Sequence, residues 1–130
     1  MENYTTMGNL MKAAQIKMKC QERTIKFFYE NQNSLKQEWM NMKKENKSFS
    51  KCPFEAFILF CLVNSKKMNK IESNYLNDIL GFYSENYKFV DKQFKKHNDG
   101  CKSLFEYIFT AYDKNKSENY SISLSNIFKS

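Results

Sequence analysis

The residues of this sequence best able to do chemistry are one histidine, His97, four cysteines (Cys20, Cys52, Cys61 and Cys101) and fourteen carboxylates. His97 sits in the run Lys95-Lys96-His97-Asn98-Asp99. A general base needs a desolvated setting or a partner to tune it, whereas a lysine-flanked polar run reads as a solvated turn. No two cysteines form a CxxC pair, and one histidine cannot complete a zinc site with them. In a chain without a signal-peptide pattern the thiols are expected to be reduced and packed as small apolar groups. The phosphate-cradling GxxxxGK[ST] and GxGxxG loops are absent, as is the zinc-binding HExxH pair. The acids are scattered singly, as solvated surface charges are. The expectation is a non-enzymatic protein with no cofactor and no metal.

The elements that carry these residues are expected to be helices. Of 130 residues only three are glycine and one, Pro53, is proline. All-β folds need far more turn residues, so the reading is all-α, a small bundle of about five to six short helices. Twelve phenylalanines, eight tyrosines and one tryptophan provide a core.

Leu10, Ala14, Met18, Ile25 and Phe28 recur at helical spacing, which predicts an amphipathic helix over 6–30. Asn31-Gln32-Asn33 breaks it. Ser34 with Gln37 reads as a capping box opening a second helix to about Lys44, with Leu35, Trp39 and Met42 buried. The methionines of this pair (Met7, Met11, Met18, Met40, Met42) read as core filler. Residues 1–46 form an N-terminal helical pair, and the polar stretch Glu45–Lys51 divides it from a helical box over 47–116. Pro53 suits a first helical turn. The helix after it holds the longest apolar run, Ala56–Val63, and should end between Lys66 and Asn69. Ser73 is expected to cap the next helix, which buries Leu76, Ile79, Leu80 and Tyr83. A further helix, Tyr87–Lys96, uses Phe89, Val90 and Phe94. After the turn His97–Gly100, Ser103 with Glu106 caps a last helix ending near Tyr112. Residues 117–130 are a polar tail, in which Tyr120, Ile122, Leu124 and Ile127-Phe128 either dock or lie free.

The net charge is +7, and twenty of the twenty-one basic residues are lysine. Such an excess suits contact with phosphates. It is equally what an AT-rich coding sequence produces without selection for binding. Between Lys47 and Lys116 twelve lysines face eight acids, so that segment holds +4 of the excess. No apolar run approaches the ~20 residues of a membrane span, and no membrane partner is expected. Localisation is read as intracellular, nuclear if the chain binds DNA and cytoplasmic otherwise.

Lys51-Cys52-Pro53-Phe54-Glu55-Ala56-Phe57-Ile58-Leu59-Phe60 resembles the opening of an HMG box, where a basic arm leads through proline into the first helix. Ile79-Leu80-Gly81-Phe82-Tyr83 is similar to the end of such a box's second helix, and Glu85–Tyr112 has about the length of the third. The alpha-box of fungal mating-type regulators fits comparably. The resemblance, over residues 51–112, implies an L-shaped three-helix, DNA-binding regulatory domain. Its concave face would lie in the minor groove and wedge an apolar side chain between base steps. Carried over by position, Phe54, Phe57 and Ile58 include the wedge. Lys51, Lys66, Lys67, Lys70, Lys88, Lys92, Lys95 and Lys96 would contact phosphates.

A different class fits the same composition, a helical protein–protein interaction module whose groove accepts a partner helix, as in Bcl-2-like adaptors. The two separate on Phe54, Phe57, Phe60 and Leu62. A projecting Phe54 or Phe57 favours the box, and burial of Phe57, Phe60 and Leu62 in a central helix favours the module. Self-association through the N-terminal helices is a further possible partnership.

Overall fold

The computed structural model describes the backbone of residues 2–129 and the side chains of residues 8 and 11–118. It contains four α-helices and one short 3-10 turn: α1 (Glu2–Glu45), the turn Lys47–Phe49, α2 (Phe54–Val63), α3 (Lys70–Lys96) and α4 (Leu104–Lys129). The all-α expectation holds, but the helices are fewer and longer than five or six.

The reason is visible at two asparagines. Asn31 in α1 (φ −124°, ψ 15°) and Asn86 in α3 (φ −125°, ψ 15°) are single non-helical residues inside otherwise continuous helices. Each turns its side-chain amide back to donate to the carbonyl four residues earlier, Asn31 to Phe27 at 2.9 Å and Asn86 to Phe82 at 2.8 Å. An asparagine amide competes with the backbone for that acceptor, which is why asparagine weakens helices. Here the competition bends the helix without ending it. Asn64 makes the same bond to Phe60 and there α2 does stop, at Val63, short of the expected Lys66–Asn69.

The chain divides into two compact units, Met1–Gly81 and Phe82–Ser130. The division falls within α3. It is not at 46/47, where the polar stretch is instead folded: Asn46 Oδ1 accepts from the Ser48 amide and closes the 3-10 turn.

In the first unit, α2 is apolar on every side, and Ala56, Phe57, Ile58, Leu59 and Leu62 are buried. Pro53 is the residue before the helix, its carbonyl accepting from Phe57 N at 3.0 Å. Phe54 packs on Phe28 and Trp39, with ring centroids 6.2 and 5.4 Å away. The Trp39 indole donates to the Cys52 carbonyl at 2.8 Å, and the Lys43 ammonium lies 4.2 Å from the Trp39 ring. α3 starts at a reciprocal cap in which Asn69 N donates to Glu72 Oε1 and Glu72 N to Asn69 Oδ1. Glu72 is buried and ion-paired with Arg23 of α1. Ser73, expected as the cap, lies one turn inside and donates its hydroxyl to the Val63 carbonyl. Ser34 likewise caps nothing, for it lies within α1 and donates to the Asn31 carbonyl.

Three of the methionines expected to fill the core do not. Met11, Met18 and Met40 are 65%, 62% and 43% exposed, Met42 is half-buried, and the Met7 side chain lies outside the described residues.

In the second unit, Phe82–Lys96 of α3 and α4 bury Tyr83, Val90, Phe105, Ile108, Phe109 and Tyr112. Phe94 packs on Tyr107 and Phe82 on Tyr112, at 5.4 and 5.8 Å between centroids. Between the helices, Asp99 (φ 53°) and Gly100 (φ 79°) adopt left-handed backbone in a tight turn closed by the bond from Cys101 N to the Asn98 carbonyl. Ser103 Oγ then accepts from Glu106 N and caps α4, as expected. α4 runs past Tyr112 to Lys129. Whether Tyr120, Ile122, Leu124, Ile127 and Phe128 dock lies outside the described side chains.

Candidate functional site

Among the described residues, the side chains able to do chemistry do not converge. The His97 Nε2 lies 2.8 Å from Asp99 Oδ1, and Lys114 bonds to the other oxygen of the same carboxylate. An Asp–His pair can orient an imidazole for proton transfer, but this imidazole is 80% exposed, where water screens its partner. The arrangement clasps the turn between α3 and α4. Among the described residues no three His, Cys, Asp or Glu side chains gather to hold a metal, and no helix is long and apolar enough to cross a membrane. The four cysteines are free thiols, Cys20 and Cys101 buried, Cys52 and Cys61 half-buried.

The candidate wedge residues are placed unequally. Phe57 (3% exposed) and Ile58 (0%) are core side chains of α2. A wedge must stand out of the surface to enter a base step, so these two are removed from that role. Phe54 is half-buried and held between Phe28 and Trp39. Of the other residues that separate box from module, Phe57 and Leu62 are buried while Phe60 is 41% exposed against Phe49. Leu80-Gly81 does not end a helix either, since α3 continues for fifteen residues past Gly81.

All eight candidate lysines are exposed. Lys51, Lys66, Lys67 and Lys70 belong to the first unit, and Lys88, Lys92, Lys95 and Lys96 to the second. The latter four follow at steps of four, three and one, which puts them on one face of α3 beyond Asn86.

Beside that face is the feature sequence reading missed. Phe89, expected to be buried with Val90 and Phe94, is 63% exposed. It stands at the rim of a groove of about 260 Å³ between α3 and α4 within the second unit. Phe82, Asn86, Val90 and Gln93 line it from α3, and Tyr107, Ala111, Lys114, Asn115 and Glu118 from α4. Both sets follow helical spacing, so each is one face of its helix. Lys92 and Lys96 follow Phe89 by three and seven residues and flank it on the outer side. A signal was present: in a helix whose lysines occupy 88, 92, 95 and 96, position 89 falls on the polar half.

The volume lies just under the ~300–1,000 Å³ of small-molecule sites. It suits one or two inserted side chains of a larger partner. No protein-family model, curated protein or solved structure matches the chain.

Proposed function

We propose that the chain is a non-enzymatic helical interaction module, and that residues 82–118 hold an amphipathic partner helix in the groove between α3 and α4. The observation that carries this is Phe89, a large aromatic 63% exposed beside a depression of mixed polar and apolar lining rather than closing over it. An exposed aromatic at a pocket rim is a favourable anchor, because it costs little side-chain entropy to fix and buries a large apolar area. Phe82, Val90 and Ala111 would receive apolar side chains at i, i+3, i+4 and i+7 of the partner. The row Lys88, Lys92, Lys95 and Lys96 selects a partner with carboxylates on its flank.

The probe is a designed helical peptide with leucines at those spacings and glutamates elsewhere, followed by fluorescence polarisation. Phe89→Ala should weaken its binding about tenfold, as expected for a ~1.4 kcal/mol anchor. Equal affinity for wild type and variant would remove the groove from the account.

A second reading, contact with DNA phosphates as the box resemblance implies, is supported by the same lysine row. It predicts duplex affinity falling steeply as salt rises. Lack of a shift near ~50 mM salt at micromolar protein would dismiss it.

A further inference from the structure

The N-terminal stretch of α1, in the first unit, carries a methionine-bearing side that the core leaves largely open. Cys20 and Thr24 are buried, and Arg23 reaches Glu72, so that side of α1 is turned to the core. Met11, Met18 and Ile25 repeat every seven residues along another side, with Ala14 and Gln21 three residues after the first two. Met11, Met18 and Ile25 thus supply the apolar a positions of a coiled-coil seam, with the small Ala14 and the polar Gln21 at d. Met11 and Met18 are 65% and 62% exposed, Ala14 is exposed, and Gln21 and Ile25 are half-buried.

We propose that two copies of this chain pair in parallel through this seam. The charges beside it select the occupant. With Met11 and Met18 at a positions, Lys17 takes a g position and Glu22 the e position of the next heptad. In a parallel pair each g residue faces the e residue five places on in the other helix. Lys17 of each copy therefore meets Glu22 of the other, twice by symmetry. An antiparallel pair would match g with g and e with e, bringing like charges together. Lys17 is available for this, since its present neighbour is the Tyr75 ring at 5.9 Å, the outer limit of such contacts. Glu22 is exposed. The seam from Met11 to Ile25 is about 21 Å long at 1.5 Å per residue. Two heptads make a weak and concentration-dependent pair.

The test is sedimentation equilibrium of the full chain over about a hundredfold range of concentration. The mass should climb towards twice the monomer value as concentration rises. Met18→Asp should hold it at the monomer, and Lys17→Glu should weaken association at least tenfold. The double variant Lys17→Glu with Glu22→Lys should restore it, because the reciprocal pairs reform with reversed sign. Circular dichroism should be unchanged throughout, as these side chains lie outside the core. A monomer at every concentration, a Met18→Asp protein that still associates, or a double variant that recovers nothing would each overturn the proposal.

Discussion

The hydroxyl of Tyr83 donates to Asp91 Oδ1 at 2.8 Å, and Asn86, the one non-helical residue inside α3, lies between the two. The bond spans the bend. Tyr83 is fully buried, so its hydroxyl has no easy substitute partner in water. Tyr83→Phe should lower stability by about 1 kcal/mol, the usual net value of such a bond, in urea unfolding. An unchanged midpoint would mean that the bend holds without it.

Asn69 and Glu72 cap α3 reciprocally at 3.0 and 2.9 Å, while Glu72 is buried and paired with Arg23. Glu72→Ala removes a buried cap, while the exposed Arg23 is left to water, and should cost about 1–2 kcal/mol. Glu72→Gln keeps the cap's geometry and should cost less. Arg23 has a side chain 60% exposed, so Arg23→Ala should cost less than Glu72→Ala. Equal losses for all three in denaturant titrations would contradict the cap.

How much was legible in the sequence follows from these elements. Helix content was, because a chain with so few glycines and prolines and so regular an apolar period has few alternatives. The breaks at Asn31 and near Asn86 were legible as positions but not as bends, since asparagine's amide can end a helix, as at Asn64, or be carried within one. α2 was the hardest part. Its apolar residues run continuously, so no period marks an outward face, and Phe57 and Ile58 looked as available as Phe54. Phe89 was misread by type, as an aromatic beside a valine, although its lysine neighbours marked the polar side. The Asn69–Glu72 cap was missed for Ser73, one turn away.

The bond from Lys114, with further attraction from Lys114 and His97, holds the Asp99 carboxyl below its ordinary carboxylate value. The stability this gives is complete above that ordinary value and is lost as pH falls through the lowered one. The same bond raises Lys114, so its contribution is present below the ordinary lysine value and is lost as pH rises through the raised one. Asp99 has a φ of 53°, which asparagine tolerates, so Asp99→Asn removes the charge and spares the turn. The melting temperatures of wild type and Asp99→Asn should differ at neutral pH and converge in acid, once pH has fallen through the lowered carboxyl value. A gap that persists in acid would rule out an electrostatic clasp.

Burial pushes the thiols of Cys20, Cys52 and Cys61 above the ordinary cysteine value, with Glu38 adding to the shift at Cys61. Since the thiolate is the reactive form, all three should alkylate slowly at neutral pH, and Cys20, with no exposed surface, slowest of them. Mass spectrometry of iodoacetamide-treated folded protein would check the order. Rapid modification of Cys20 would contradict its burial.

The central claim is that the groove between α3 and α4 receives a helix. Its most direct test is nuclear magnetic resonance of the full chain titrated with the leucine- and glutamate-bearing helical peptide. The account predicts saturable shifts concentrated at Phe82, Phe89, Val90 and Ala111, and their loss in Phe89→Asp. An unresponsive groove under peptide, with a DNA duplex instead perturbing Lys88, Lys92, Lys95 and Lys96, would contradict it.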